Sequence, residues 1–218
     1  NALQGATTGT VTATIDGNAA ELDGLTASGT TATMALTITV DDTATAVAGA
    51  AIADATSLAN TGVNFALGIT DSFAAVTNGT AVHGNIDKID AKDANVNITV
   101  NDAAVANVSA DNVTAINALQ GATTGTVTAT IDGNGAELDG LTASGTTATM
   151  ALTITVDDAV TALQGKTITE ATSVATVAFT VGINDSFAAV TDGTGVHANM
   201  QAVDAKDANV NITVNDAA

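Results

Sequence analysis

The stretch Thr12-Ala-Thr-Ile-Asp-Gly-Asn-Ala-Ala-Glu-Leu-Asp-Gly-Leu25 sets a pattern that the rest of the chain repeats. From Val11 to Ile15, aliphatic residues alternate with threonines, which is the period-two pattern of a strand with one buried face. After Asp16, apolar residues recur at helical spacing from Ala19 onward. The aspartate between them can accept hydrogen bonds from the first free N–H groups of a helix. The stretch therefore predicts a unit made of a strand, an aspartate and a short helix or loop.

This unit occurs eight times, at intervals of 25 to 31 residues. The aspartates that end the eight predicted strands are Asp16, Asp41, Asp71, Asp102, Asp132, Asp157, Asp185 and Asp216. The chain also has a longer repeat. Residues 1–42 recur at 117–158 with one substitution, and residues 90–104 recur unchanged at 204–218. Four units thus form one long repeat.

We predict a first long repeat over 1–116 and a second over 117–218, continuous with the first. The second has lost two residues between Asp157 and Asp185, since the offset between copies changes from 116 to 114. The chain starts at Asn1 in mid-repeat, so we expect a fragment or processed piece of a longer protein.

A fixed period of this length is typical of solenoids and arrays. One unit buries a few aliphatic side chains at roughly 1.5–3 kcal/mol each, whereas ordering its ~30 residues costs tens of kcal/mol. Units that share their apolar faces overcome this cost. We therefore predict a mainly β fold with short helices, namely an elongated β (or α/β) solenoid of about eight strand-plus-aspartate units. The alternative is two tandem β-sandwich modules of ~115 residues each.

The charge excludes several functions. The net charge is −19, with four lysines and no arginine, so no basic surface exists for nucleic acid or for an anionic membrane surface. The chain has no Cys, Trp, Tyr or Pro. The absence of cysteine excludes disulfides and thiolate metal sites. The longest apolar run, Ala46 to Ala53, is too short to insert across a membrane.

Neighbouring carboxylates repel one another, and either helix capping or a bound cation relieves the repulsion. Capping is the favoured explanation. Calcium, which prefers oxygen ligands, is the second and the one cofactor we consider. The candidate calcium ligands are the doublets Asp41-Asp42 and Asp157-Asp158, with Asp90 and Asp93 beside Lys92. No Asp-x-Asp-x-Asp-Gly loop accompanies them.

Pairs of threonines at alternate positions form another pattern. They are Thr12/Thr14, Thr37/Thr39, Thr128/Thr130 and Thr153/Thr155. Regular hydroxyl and methyl rows resemble those of ice-binding proteins, so binding of ice or another crystal is the alternative function. Ordinary strand propensity on a solvated face is the favoured explanation.

No catalytic or cofactor-binding residue stands out, and we predict that the chain is not an enzyme. His83 and His197 occupy equivalent places and are expected to be surface loop residues. The serines have no base at suggestive spacing, and no phosphate-binding loop is present. Aspartates that recur in every unit indicate scaffold, because a catalytic site is normally unique.

The segments Val96-Asn-Ile-Thr-Val-Asn-Asp-Ala-Ala104 and Ala35-Leu-Thr-Ile-Thr-Val-Asp-Asp42 resemble units of large, acidic, Ala/Thr/Asp-rich strand-repeat proteins of bacterial surfaces. This resemblance implies an extracellular or cell-surface location and structural work as an adhesin, surface-layer component or filament, often with calcium. The usual calcium nonapeptide of such proteins is missing.

We therefore expect a structural or adhesive repeat segment that forms a stalk, sheath or filament by end-to-end stacking. The expected partner is the protein itself, in head-to-tail or lateral contacts. Other surface proteins or polysaccharide are further expected partners. A head-to-tail contact that does not close on itself builds a filament.

Overall fold

The computed structural model describes residues 1–174 and 176–216. Helices make up 30% of the chain and strands 28%, so the fold is mixed α/β. The chain divides into two compact bodies. The first body holds Asn1–Asn101 with Gly121–Thr126, and the second holds 102–120 with the described residues from 127 onward.

The first body contains five helices and seven strands. The helices are Ala2–Ala6 (α1), Ala19–Leu22 (α2), Ala46–Asp54 (α3), Phe73–Val76 (α4) and Gly84–Asp90 (α5). The strands are Thr10–Gly17 (β1), Thr33–Val40 (β2), Val63–Phe65 (β3), Ile69–Asp71 (β4), Thr77–Asn78 (β5), Ala81–Val82 (β6) and Ile98–Val100 (β7).

The second body contains most of the remaining elements. The helices are Ala110–Gly121 (α6), Gly135–Leu138 (α7), Ala162–Glu170 (α8), Phe187–Val190 (α9) and Ala198–Asp204 (α10). The strands are Thr126–Gly133 (β8), Thr149–Val156 (β9), Ala159–Val160 (β10), Val177–Phe179 (β11), Gly182–Asp185 (β12) and Ile212–Val214 (β13). Among the described residues, every helix is too short or too polar to span a lipid bilayer.

Parallel pairing organises both bodies. In the first, β1, β2 and β3 are successive neighbours, and the register of β1 with β2 runs from Thr10 opposite Thr33 to Gly17 opposite Val40. In the same body β4 pairs with β7, and β5 with β6 forms a short antiparallel hairpin. In the second, β9 lies between β8 and β11, and β12 lies between β10 and β13. Alternate side chains of β2 are buried, as the period-two pattern predicts.

The predicted mainly β solenoid of about eight strand-plus-aspartate units is wrong. The segments between strands, which the sequence led us to treat as short corners, form helices of nine to twelve residues at α3, α6 and α8. Helices therefore account for as much of the chain as strands do. Apart from the β5–β6 hairpin, the sheets in the described residues are parallel with none closed, and no solenoid is indicated. The alternative of two tandem β-sandwiches is also wrong, because a sandwich is built from antiparallel sheets.

A glycine turn interrupts two of the eight predicted strands, namely those that end at Asp71 and Asp185. Residues 63–71 form β3 and β4, and the turn between them contains Gly68 at a φ of +76°. A Cβ at this position would strike the carbonyl oxygen of Asn97, which accepts a hydrogen bond from the N–H of Ile69 at 2.8 Å. Glycine is needed here both for the positive φ and for the close approach. The second copy has the same arrangement at Gly182.

The single difference between residues 1–42 and their copy has a packing reason. Ala19 stands where the copy has Gly135, and Ala44 stands where the copy has Val160. A Cβ added to Gly135 would overlap Cγ1 of Val160. In the second copy, Val160 is larger than Ala44, and the contacting position has lost a methyl group because Gly135 replaces Ala19. A close-packed core requires such compensation.

Candidate functional site

Aspartates that follow strands hydrogen-bond to helices that begin earlier in the chain. Asp42 follows β2, and its Oδ1 accepts a hydrogen bond from the N–H of Ala19, the first residue of α2, at 2.7 Å. Asp158 follows β9 and accepts from the N–H of Gly135 in α7, also at 2.7 Å. The same bond joins Asp71 to Ala46 at 3.0 Å, Asp185 to Ala162 at 3.0 Å and Asp216 to Phe187 at 2.9 Å.

These carboxylates cap helices, but not the helices that the sequence predicts, because each caps the helix of the preceding unit and not the helix that follows it. A helix leaves its first N–H groups without intrahelical partners and carries partial positive charge at that end. In α2 the Asn18 side chain accepts from the N–H of Glu21 at 3.0 Å, and Asp42 takes the N–H of Ala19. Two side chains from different parts of the sequence thus complete one helix start. In the doublets, the second aspartate makes the cap.

A neighbouring lysine and aspartate tie three chain segments together. Asp93 is buried, and its Oδ2 accepts from the N–H of Phe65 at 2.8 Å. Lys92 Nζ donates to the carbonyl oxygens of Thr56 and Leu58, both at 2.9 Å. Equivalent bonds recur in the second copy, from Lys206 to Thr172 and Val174 and from Phe179 to Asp207.

Buried threonines after helices hydrogen-bond to strand backbone. Thr56, which follows α3, accepts through Oγ1 from the N–H of Leu36 at 3.0 Å and donates to the carbonyl of Leu36 at 2.7 Å. Thr172 makes the same pair of bonds with Leu152. Each hydroxyl therefore supplies a hydrogen-bond partner to both the backbone N–H and the backbone carbonyl of one buried strand residue. Without such a partner, a buried polar group carries an uncompensated desolvation penalty.

Half of the predicted calcium ligands are engaged in these backbone bonds. They are Asp41, Asp42, Asp90, Asp93, Asp157 and Asp158. Asp42, Asp93 and Asp158 each accept an N–H bond. Asp41 and Asp157 are exposed. Within residues 1–174 and 176–216, no group of three or more His, Asp or Glu side chains is close enough to hold a metal ion. Calcium binding stays a prediction, and isothermal titration at millimolar calcium tests it.

Two carboxylates have perturbed pKa values. Burial, and then the charges of Asp87 and Asp93, raise the pKa of Asp90 above its ordinary value. Hydrogen bonds from the backbone of Thr194 and Gly195 lower the pKa of Asp192. Asp192 shapes a turn through these bonds.

The threonine pairs form an interrupted array on the first sheet. Thr14 lies opposite Thr37, but Thr12 lies opposite Ala35, and Thr39 lies opposite Asp16. On the next strand Thr39 faces Asn64. Alanine, aspartate and asparagine therefore interrupt the threonine rows. Ice or crystal binding stays a prediction that a thermal-hysteresis measurement tests.

His83 and His197 are helix caps. Nδ1 of His83 accepts from the N–H of Asn85 at 3.2 Å at the start of α5, and His197 does the same for Asn199 at the start of α10. Both imidazoles are half-buried. Sequence reasoning placed these histidines in surface loops and missed the capping role.

Comparison of the chain with protein-family models, with curated proteins and with solved structures gave no match. The residues that sequence reasoning missed are the bridging side chains Thr56, Thr172, Lys92 and Lys206. A signal for Thr56 and Thr172 exists in the sequence, because they stand at the same place in both long repeats although much around them has changed. Lys92 and Lys206 lie in a segment that recurs unchanged, so the comparison of copies does not single them out.

Proposed function

We propose that this chain is a structural repeat segment of a secreted or cell-surface bacterial protein, which builds a stalk, sheath or filament through end-to-end contacts. The observation that carries the proposal is that polar side chains hydrogen-bond to the backbone of neighbouring chain segments. Asp42, Asp158, Thr56 and Thr172 are committed to backbone bonds between successive segments of the chain. Each of these bonds occurs in both copies, which is the behaviour of scaffold and not of a unique reaction centre.

The charge supports an exposed setting. A net charge of −19 keeps such a protein soluble and separate from nucleic acid. The resemblance to acidic strand-repeat surface proteins points in the same direction. Other surface proteins or polysaccharide remain proposed partners for adhesion.

The test is a length series of tandem chains with one, two and three added long repeats. If the repeat is a structural spacer, the maximum dimension from small-angle X-ray scattering grows by equal steps, and circular dichroism per residue stays constant. Electron microscopy with and without calcium shows whether the products form filaments. Dimensions that do not grow with repeat number, or loss of secondary structure, would count against the proposal.

A further inference from the structure

Two asparagines of this chain are followed directly by glycine, at Asn78-Gly79 and at Asn134-Gly135. An asparagine in this position can lose its side-chain amide when the backbone nitrogen of the next residue attacks its Cγ. Glycine permits the attack best, because it has no Cβ to obstruct the approach and it turns freely. The structure places the two dipeptides in opposite surroundings.

The first dipeptide lies at an open hairpin turn. Asn78 ends β5, and Gly79 is the first of the two residues that join β5 to β6. Its φ of +65° is typical of glycine at that position of a tight hairpin. Asn78, Gly79 and Thr80 are all exposed. Within residues 1–174 and 176–216, the N–H of Gly79 has no hydrogen-bond partner, so its nitrogen is free to move toward the side chain before it.

The second dipeptide is held by hydrogen bonds at both of its reacting groups. The N–H of Gly135 donates to Oδ1 of Asp158 at 2.7 Å. Oδ1 of Asn134 accepts from the N–H groups of Ala136 and Glu137, both at 3.1 Å. Gly135 is also buried. The nitrogen and the side-chain amide must therefore both be released before they can react.

We propose that Asn78 is a site of spontaneous deamidation in the folded chain, and that the fold protects Asn134 from the same reaction. The nitrogen of Gly79 loses its proton to hydroxide and attacks Cγ of Asn78. A C–N bond forms, the bond from Cγ to the side-chain nitrogen breaks, and that nitrogen leaves as ammonia after it takes a proton from water. The product is a five-membered cyclic imide.

Water is the co-reactant of the second step, and no electrons are transferred. It adds to either carbonyl carbon of the imide and breaks the C–N bond there. Opening at one carbonyl gives aspartate at position 78. Opening at the other gives the isomer in which the backbone runs through the side chain. In both products a carboxylate has replaced an amide, so one negative charge is added to the net charge of −19.

The second copy shows that this hairpin accommodates a carboxylate. The equivalent of Asn78 is Asp192, which is again followed by glycine. Oδ1 of Asp192 accepts from the N–H groups of Thr194 and Gly195, at 3.0 and 2.7 Å. The residues of this turn are exposed in both copies, so the exposure belongs to the hairpin itself. The aspartate product at position 78 is therefore expected to leave the fold intact.

The isomeric product is expected to disturb the hairpin. Its backbone has one additional carbon atom between positions 78 and 79, whereas the hairpin pairs Asn78 with Ala81 and Thr77 with Val82. A change in backbone length at the turn shifts this register. The modification thus has one product that the fold tolerates and one that loosens the segment between α4 and α5.

The experiment follows both asparagines in the folded 218-residue chain. The chain is incubated at mildly alkaline pH in water labelled with a heavy oxygen isotope, so that each opened imide acquires one labelled oxygen. Cleavage after lysine places Asn78 in the peptide 1–88 and Asn134 in the peptide 93–166, and fragment mass spectra locate the label. We expect Asn78 to react at least about tenfold faster than Asn134, because Gly135 must first give up a hydrogen bond to a carboxylate.

Three controls separate the fold from the local sequence. In urea the two dipeptides are expected to react at similar rates, because the hydrogen bonds that distinguish them are lost. Asp158→Ala frees the N–H of Gly135 and is expected to accelerate the reaction at Asn134 without changing it at Asn78. Asp158→Asn keeps a hydrogen-bond acceptor and is expected to leave Asn134 protected. Circular dichroism verifies that these variants and Asn78→Asp are folded.

Equal rates at the two asparagines of the folded chain would overturn the inference. So would an Asn78 that stays intact in the folded chain while it reacts in urea. If Asp158→Ala is folded and Asn134 reacts no faster, the hydrogen bond is not the source of the protection. The inference goes beyond the proposed structural function, and none of these outcomes bears on the tandem length series that tests that function.

Discussion

Oδ1 of Asp42 accepts a hydrogen bond from the N–H of Ala19 at 2.7 Å, although 23 residues separate them. The helix that begins at Ala19 thus depends on the end of the strand that follows it. The same dependence links Gly135 to Asp158 in the second copy. Successive segments are therefore coupled at these two places, where the start of the helix depends on the strand that follows it.

The hydrogen bond between Asp42 and Ala19 predicts that substitutions at Asp41 and Asp42 change the free energy of unfolding unequally. Asp42→Ala removes the cap of α2 and is expected to lower the free energy of unfolding by about 0.5–2 kcal/mol. Asp41→Ala, at the exposed neighbour, is expected to change it by no more than about 0.5 kcal/mol. Urea unfolding followed by circular dichroism measures both. Equal losses for the two variants would contradict the cap.

The pair Gly135 and Val160 predicts a compensating double variant. Gly135→Ala places a methyl group on Val160 Cγ1 and is expected to cost about 1–3 kcal/mol. Val160→Ala gives position 160 the residue that the first copy has at the equivalent Ala44, and so makes space for the added methyl group. The double variant Gly135→Ala with Val160→Ala is therefore expected to recover much of the stability that Gly135→Ala loses. A double-mutant cycle from urea unfolding gives the coupling energy. Additive losses would show that the two positions do not share the space.

The buried hydroxyl of Thr56 is expected to contribute more to the stability of the fold than the volume of its side chain does. Thr56→Val keeps a similar shape but leaves the N–H and carbonyl of Leu36 without their partner. We expect a loss of about 1–3 kcal/mol per unsatisfied group. Thr37→Val, on the exposed face of β2, serves as the control and is expected to be near neutral. Hydrogen exchange at the Leu36 amide locates the effect, and unchanged protection there would refute it.

Asp90 predicts a pH dependence of stability. Its folded pKa is raised, so above the unfolded value of 3.8 the folded chain binds more protons than the unfolded chain. The contribution of Asp90 to stability therefore falls as pH rises through the folded pKa. Asp90→Asn is expected to be more stable than the intact chain at pH 7, with the difference shrinking toward pH 3. Asp204→Asn, at the exposed equivalent in the second copy, is the control. A difference that does not depend on pH would contradict this.

The sequence allowed good prediction of strands with clear alternation. Strands β1, β2, β8 and β9 lie where period-two patterns place them. The helices α3, α6 and α8 were underestimated because their alanines, threonines and glycines give no marked apolar stripe. Gly49 of α3 illustrates the reason, since an added Cβ would meet Ile69 and Ile89 at 2.9 and 2.8 Å. Small residues there allow close packing that a periodicity search does not register.

The direction of capping could not be read locally. Asp42 stands just before one helix and caps another, and the choice depends on the parallel register of β1 with β2. Register is a property of two segments together, so a pattern within one segment cannot reveal it. Comparison of the two copies is more informative for Thr56, because it shows that this residue is retained at Thr172 although much around it has changed.

The offset between partners has a further consequence for how such a protein changes length. Each aspartate cap joins a helix start to a carboxylate 23 to 29 residues further along the chain, and the caps of Ala19 and Ala46 recur in the second copy at Gly135 and Ala162. Genetic recombination between the two coding blocks would insert or remove a whole block, and the capping aspartates in the product would still meet their helix starts. Length can therefore evolve in whole steps, without new contacts having to arise at the junctions.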